Sequence, residues 1–248
     1  MSYTSQVKDE ILEQERSNIY AISFLSGFVR NNYYIKDNYL FLSIYNDKLK
    51  NKLINMFNNL YHIKFIIEEN NKNNNFISKY TLKTNEKIDF LLESLGVIDT
   101  KGKYLNQVPE YIISDEDLKK EYIKGCFISC GSINDPKTSK YHLELLINNK
   151  FETVKLQSLI NYYELNSKII DRNNRYMIYI KEAEKICDFI KVLGANKSVL
   201  YYENIIIYHE KKNQTNRLNN CEQANVDKTI QSSQETLDAI EKNIENLL

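Results

Sequence analysis

Cysteine and histidine are the residue types best able to supply metal-binding or nucleophilic chemistry, and this sequence holds four cysteines and three histidines. The cysteines form no C-x-x-C pair, and no histidine stands near one at zinc-finger spacing. They are Cys126, Cys130, Cys187 and Cys221. This pattern favours reduced thiols with a structural role, as in a cytoplasmic protein. We therefore expect neither a metal site nor a cofactor.

The charges balance, with 33 basic and 33 acidic residues in a chain of 248. A typical nucleic-acid-binding domain has a strong positive excess, which is absent here. Residues 218–248 hold six acids and two bases, so the body before them keeps a small positive excess. No apolar run approaches the roughly 20 residues of a membrane span, and the start lacks the apolar stretch of a signal peptide. The composition predicts a folded cytoplasmic protein that does not enter a membrane.

Two glycines lie inside apolar, helix-like stretches, FLSGFVRNN at 24–32 and YIKGCFISCG at 122–131. Glycine within a helix costs about 1 kcal/mol relative to alanine, so a packing reason is expected. A second pair of segments, EKIDFLLESLG at 86–96 and EKICDFIKVLG at 184–194, is separated by the same interval. Agreement of two separate pairs on one interval predicts that the chain is a tandem duplication.

Hydrophobic periodicity predicts the same elements in the same order in each half. In the first half we expect helices at 17–31, 47–60 and 85–95, and strands at 33–36, 39–45, 63–68 and 76–83. In the second half we expect helices at 115–130, 150–164 and 182–193, and strands at 131–134, 141–147, 167–171 and 175–180. The order αββαββα, present twice, predicts an α+β fold in which helices cover one face of each four-stranded antiparallel sheet.

The duplication divides the chain into a first repeat at 1–97, a second repeat at 98–196 and a helical linker at 197–248. If the repeats are related by a pseudo-twofold axis, their first helices meet side by side. Gly27 and Gly125 are then predicted to lie where these helices pack, because small residues let two backbones approach closely.

Two such helices, each followed by two hairpins separated by a helix, resemble the LAGLIDADG homing endonuclease fold. The glycine of that motif is matched in LSGFVRNNY at 25–33 and IKGCFISCG at 123–131. The resemblance implies that the penultimate residue of each motif is an aspartate that binds a catalytic divalent metal. Those degenerate positions hold Asn32 and Cys130 here, and the earlier acid of the first motif is replaced by Arg30. We therefore expect no catalytic residues and no nuclease activity.

Four further stretches are similar to the WhiA family of sporulation and cell-division regulators. They are SYTSQVKDEI (2–11), GSINDPKTSKYHLEL (131–145), YIKEAEKI (179–186) and NRLNNCEQANVDKTI (216–230). The resemblance covers nearly the whole chain and implies a non-cleaving LAGLIDADG-like domain, then a connecting helix and a helix-turn-helix domain. The sequence ends within the expected connecting helix, so we expect the helix-turn-helix to be absent, through natural loss or through truncation. Without it, binding to a specific operator is expected to be weak.

The resemblance also implies that the free face of each sheet follows a groove of double-stranded DNA, with basic side chains on the phosphates. The candidates on or beside the strands are Lys36, Lys64, Lys83, Lys168, Arg172, Arg175 and Lys181. A basic segment, KKNQTNR at 211–217, adds Lys211, Lys212 and Arg217. Within it, Asn216 and Arg217 either contact phosphates or cap the connecting helix or pack against it. For all of them, ordinary solvated charge is the alternative.

Two functions follow from these observations. The first is a non-catalytic, DNA-binding transcriptional regulator of the WhiA type, monomeric and associated with the nucleoid. The alternative is a protein-interaction scaffold that does not bind DNA, and the zero net charge favours it.

Overall fold

The computed structural model describes residues 2–69, 79–172 and 175–245, with side chains up to residue 240. The chain divides into two compact units, Met1–Tyr202 and Glu203–Leu248. The first unit contains both sheets, and the described residues of the second are helical. Within the described ranges, no helix combines the length and apolarity that crossing a membrane requires.

Eight helices and eight strands follow one another along the described chain. The first half contains α1 (Tyr3–Glu13), α2 (Asn18–Arg30), β1 (Tyr33–Lys36), β2 (Tyr39–Ile44), α3 (Asp47–Tyr61), β3 (Ile66–Glu69), β4 (Tyr80–Thr84) and α4 (Ile88–Ser94). The second contains α5 (Glu116–Cys130), β5 (Gly131–Ile133), β6 (Leu143–Ile147), α6 (Lys150–Asn161), β7 (Lys168–Arg172), β8 (Arg175–Ile180), α7 (Ala183–Val192) and α8 (Asn196–Glu245).

The strands form two four-stranded sheets with the orders β1-β2-β4-β3 and β5-β6-β8-β7, and all pairs are antiparallel. The predicted αββαββα order is confirmed in both halves. Strand β3 begins at Ile66, which pairs with Lys83 of β4, instead of at residue 63. Residues 76–78 of the predicted strand 76–83 lie outside the described ranges.

Side-chain oxygens fix the starts of several helices by accepting otherwise unpaired backbone N–H groups. Asn46 caps α3 by accepting from the Leu49 nitrogen at 2.8 Å, and Asp115 caps α5 in the same way from Leu118 at 2.8 Å. Asn149 caps α6 and accepts from two backbone nitrogens. These caps set the phase of the helices that cover the sheets.

Helix α1 was not predicted from the sequence. Its buried residues Tyr3, Val7 and Ile11 recur every four positions, and Ser2 caps it by accepting from the Ser5 nitrogen. On one side Thr4 accepts from the nitrogen of Ile133 and donates to its carbonyl oxygen, at the outer edge of strand β5. The helix therefore closes the edge of the second sheet, which would otherwise be free to pair.

Alternation along the strands separates a core face from an open face in each sheet. In the first sheet Leu40, Leu42 and Leu82 are fully buried on the core face. In the second sheet Leu145 and its partner Ile178 are fully buried in the same way. The opposite face of each sheet is called the open face below.

The two repeats meet where α2 packs against α5, and this contact is called the seam below. A Cβ atom added to Gly27 would overlap the carbonyl oxygen of Tyr122, and one added to Gly125 would overlap that of Phe24. Each helix thus lies against the backbone of the other at its glycine. The seam explains why both helices contain a residue that weakens an isolated helix.

Replacing Gly125 with alanine is expected to destabilise the protein by roughly 2–4 kcal/mol. The new methyl group meets backbone atoms that cannot rotate away, and overpacking outweighs the helix-propensity gain of about 1 kcal/mol. Urea unfolding measures the effect. The control Asn51→Ala, at an exposed position of α3, raises helix propensity without the clash. Its free energy of unfolding should be no more than about 0.5 kcal/mol below that of the wild type. A more stable Gly125→Ala variant would refute the close packing of the seam.

Candidate nucleic-acid interface

The two degenerate motif positions make structural contacts. The Asn32 amide donates to the carbonyl oxygen of Ser43 at 3.1 Å, and its oxygen accepts from the Ser43 nitrogen at 2.6 Å. The Cys130 thiol donates to the carbonyl oxygen of Cys126 at 3.2 Å, and burial raises its pKa to about 12. Magnesium-type cations prefer carboxylate, carbonyl or water oxygens. The Asn32 amide is already hydrogen-bonded to the Ser43 backbone and Cys130 is a protonated thiol, so neither side chain fits such an ion.

Arg30, which stands at the earlier acidic position of the first motif, forms a buried ion pair across the two repeats. Its guanidinium donates to Glu152 of α6 at 2.7 and 3.0 Å, and the side chains are 0% and 1% exposed. It also donates to the carbonyl oxygens of Gly96 and Leu105 at 2.6 and 2.7 Å. The second carboxylate oxygen of Glu152 accepts from the Tyr122 hydroxyl. Every charged atom of the pair therefore has a partner, as a buried ion pair requires.

Lys8 of α1 places a buried ammonium group at the C-terminal end of α5. Its nitrogen donates to the carbonyl oxygen of Ile128 at 3.0 Å and lies 5.0 Å from the centre of the Tyr45 ring and 5.6 Å from that of Phe127. Burial lowers the pKa of Lys8 from 10.5 to about 8, while the neighbouring Cys130 thiol acts in the opposite direction. The negative end of a helix dipole favours a cation here. A side-chain cation therefore lies beside the second degenerate motif position.

No sequence pattern identifies the structural roles of Lys8 and Glu152. Lys8 is one of many lysines, and its position became meaningful only once α1 was placed against α5. Glu152 lies in the first turn of α6, where an acid is common because it favours the helix dipole. Arg30 itself carried a signal, since an arginine inside an apolar helix needs a buried acceptor.

All the strand candidates for DNA contact lie on the open faces. Strand register places Lys36 opposite Tyr39 and Lys83 opposite Phe41, on the side away from Leu40 and Leu42. Lys64 lies two residues before Ile66, the first residue of β3, and so lies on the same side of the strand as Ile66, which pairs with Lys83. The amine of Lys83 lies 3.6 Å from Glu68, so part of its charge is neutralised.

The open face of the second sheet carries four exposed basic side chains. Lys168 pairs with Tyr179, Arg172 pairs with Arg175, and Lys181 lies 5.1 Å from the centre of the Tyr179 ring. The acid Glu144 lies directly opposite Tyr179 in the strand register, and its carboxylate is hydrogen-bonded to the His142 ring nitrogen Nε2 at 3.1 Å. The structure thus brings four of the predicted residues together on one face with a positive excess, called the basic face below.

Lys211, Lys212 and Arg217 belong to the other unit, where all three are exposed. They lie inside the uninterrupted helix α8, far from its first residue Asn196. The suggestion that this segment helps to cap the connecting helix is therefore wrong, because the helix starts earlier and only terminal residues cap. Solvated charge and phosphate contact remain the two interpretations.

A tandem αββαββα repeat with two glycine-bearing helices packed at its centre defines a protein of the LAGLIDADG type. A family model described as the WhiA LAGLIDADG-like domain matches residues 20–108 and 119–212. The chain belongs to the WhiA family.

Relatives and solved structures agree with this assignment. The chain is 30% identical over 261 residues to the probable cell division protein WhiA of Staphylococcus aureus, covering all of this chain and 82% of that protein. Full-length DUF199/WhiA from Thermatoga maritima has a similar fold, with a TM-score of 0.65 and 20% identity over 84% of this chain and 66% of that one. The chain thus spans slightly less than two thirds of that full-length protein.

The fold is also similar to that of I-DmoI in complex with DNA and Mn. The TM-score is 0.50 and the identity 15%, over 71% of this chain and 97% of that one. I-DmoI is a homing endonuclease. At this level of identity, the likeness shows a shared fold and no more.

Replacing Lys8 with methionine is expected to stabilise the protein at pH 7 and to change how its stability depends on pH. Between pH 8 and 10.5 the unfolded wild type still holds a proton that the folded chain has released, so wild-type stability rises with pH there. At about 1.4 kcal/mol per pKa unit, the advantage of Lys8→Met should shrink by roughly 3 kcal/mol over that window.

Urea unfolding of both proteins from pH 7 to 10.5 measures this difference, and groups common to both, such as Cys130 and Tyr45, cancel to first order. Lys101→Met, at an exposed lysine, should show a flat difference. A pH-independent difference for Lys8→Met would mean that Lys8 is not held as a desolvated cation.

Proposed function

We propose that this chain is a non-catalytic DNA-binding protein that holds double-stranded DNA against the open faces of its sheets. The basic face carries the proposal, because Lys168, Arg172, Arg175 and Lys181 are exposed together on one four-stranded sheet. Exposed lysine and arginine side chains contact phosphates without reading the base sequence. The contact supplies affinity and orientation.

The balance of charge makes this binding modest in strength. The chain has no net charge. Asp171 lies on β7 beside the basic residues, and Glu144 lies on β6, which pairs with β8. Phosphate contacts release counterions, so the affinity should fall steeply as salt is added.

Binding without cleavage follows from the motif ends. A nuclease of this fold type needs hard oxygen ligands beside the scissile phosphates, and the motif positions hold an amide, a thiol and a buried arginine, with the buried amine of Lys8 beside the thiol. Asn32 and Arg30 are committed to backbone and carboxylate partners. The proposal therefore contains no chemical step.

The biological role follows from the family. The Staphylococcus aureus relative is named a probable cell division protein. We place this chain in transcriptional control of cell division, with sporulation as the related process, and at the nucleoid. We assign sequence-specific reading of an operator to the helix-turn-helix domain that the resemblance implies. The exposed basic residues of α8 lie in the connecting helix that leads to such a domain in the family resemblance.

A matched pair of charge-reversal variants tests the proposal by fluorescence anisotropy with a labelled 30-base-pair duplex. The triple variant Lys168→Glu, Arg172→Glu, Arg175→Glu removes the basic face. The control triple variant Lys101→Glu, Lys137→Glu, Lys150→Glu makes the same change in charge at exposed positions off the sheets. Each lost phosphate contact lowers the slope of log Kd against log salt by about 0.9, so the sheet variant should lose about 2–3 and the control much less.

Two results would contradict the proposal. Equal losses in the two triple variants would show that overall charge, and not this surface, attracts the duplex. No binding by the wild type even at low salt would favour the protein-interaction scaffold instead.

A further inference from the structure

The open face of the first sheet is aromatic where that of the second sheet is basic. The rings of Tyr34 and Phe41 stack with centroids 4.7 Å apart and planes 2° from parallel. Tyr39 is tilted against Phe41 with centroids 6.4 Å apart. The amine of Lys83 lies 4.3 Å from the centre of Tyr39 and 5.5 Å from that of Phe41. These four residues are called the aromatic platform below.

Strand register builds the platform from three strands and continues its row onto the fourth. Tyr34 of β1 pairs with Phe41 of β2, which pairs with Lys83 of β4, and Lys83 pairs with Ile66 of β3. Because successive side chains alternate between faces, the fully buried Leu40 and Leu42 point to the core while Tyr39 and Phe41 do not. One continuous row of apolar and aromatic groups therefore crosses the sheet on its open side.

Within the described part of the chain, this row is exposed to solvent at both ends, and Phe41 and Lys83 between them are half-buried. Tyr34 is 48% and Ile66 is 55% exposed. Clustered exposed aromatic and aliphatic groups are unusual on a monomer surface and mark a place where something binds. Leaving such groups in water forgoes the free energy that their burial would release.

The chemistry of the platform selects a ligand with flat π faces and negative charge. Aromatic rings stack on nucleobases, and a lysine held over rings adds a cation for the phosphates. Lys36 and Lys64 lie on the same open side, where Glu68 approaches the amine of Lys83 at 3.6 Å and Glu86 accepts from the backbone nitrogen of Lys64 at 3.1 Å. Four-stranded antiparallel sheets with exposed aromatic residues are a known architecture for stacking unpaired bases.

We propose that the aromatic platform binds unpaired bases of single-stranded DNA, with Tyr34 as the outermost stacking ring. In a duplex the base faces are covered by their neighbours, so only an unpaired strand can offer them to the platform. The inference rests on the proposed function, because it assigns duplex backbone to the basic face and an opened strand to the aromatic platform. The two sheets would then hold the two forms of one DNA molecule.

Three labelled DNA ligands test the assignment by anisotropy: a 12-residue thymidine strand, an abasic strand of the same length and a 12-base-pair duplex. A 12-residue uridine RNA strand is measured beside them. Wild type, Tyr34→Phe and Tyr34→Ala are compared on each. Loss of one stacked base should weaken binding of the thymidine strand by about tenfold in Tyr34→Ala, and Tyr34→Phe should retain wild-type binding. The abasic strand should bind the wild type about tenfold more weakly than the thymidine strand, and duplex binding should change less than about twofold.

The control Tyr162→Ala removes a tyrosine of similar setting away from the sheets. Tyr162 is 58% exposed, and the amine of Lys119 lies 4.7 Å from its ring centre. It should bind all three ligands as the wild type does. Circular dichroism of each variant verifies that the fold is retained.

Several outcomes separate this inference from the proposed function. Duplex binding without binding of the thymidine strand overturns the platform and leaves the proposed function standing. Equal loss in Tyr34→Ala and Tyr162→Ala, equal affinity for the abasic strand, or at least tenfold tighter binding of a uridine RNA strand also overturns it. No binding of any ligand overturns both and points to a protein as the occupant of the platform.

Discussion

The rest of the structure depends on the close approach of α2 and α5. Two glycines let each helix lie against the backbone of the other, and this sets the distance between the repeats. At the end of the same contact Arg30 and Glu152 form an ion pair that is almost completely buried. A buried charge without its partner is costly, so the pair fixes the register of the two repeats as well as their separation. Both sheets inherit their relative positions from this seam.

The ends of the seam helices carry structural contacts at the positions that the motif resemblance assigns to metal-binding acids. Asn32 secures strand β2, and Cys130 is a half-buried thiol whose pKa is raised to about 12 by desolvation. Lys8 supplies a cation beside Cys130 from α1, the helix that also closes the edge of the second sheet. The polar groups at this end of the seam hold the protein together, and the open faces are left to meet a ligand.

Much of the fold could be predicted from the sequence, because periodicity and the repeated interval are local signals. The order of the strands and helices followed from them, whereas the placement of Lys168 and Arg175 on one open face was implied by the resemblance and agrees with the strand register. Helix α1 was missed, since a short amphipathic stretch lacks a duplicate to compare with. The Arg30 to Glu152 pair and the Lys8 contact were beyond reach because each joins residues more than a hundred positions apart. The aromatic platform was missed for another reason: exposed and buried tyrosines look alike in a strand sequence.

A double-mutant cycle on Arg30 and Glu152 tests the central claim that Arg30, at an acidic position of the motif, joins the two repeats through its ion pair with Glu152. Arg30→Met and Glu152→Leu are compared with the double variant by urea unfolding. Each single variant should lose about 3–5 kcal/mol, because it leaves one buried charge unpaired. The double variant should lose no more than either single one, which gives a coupling of several kcal/mol. Additive effects, or single losses below about 0.5 kcal/mol, would contradict the account, since the pair would then contribute nothing to holding the repeats together.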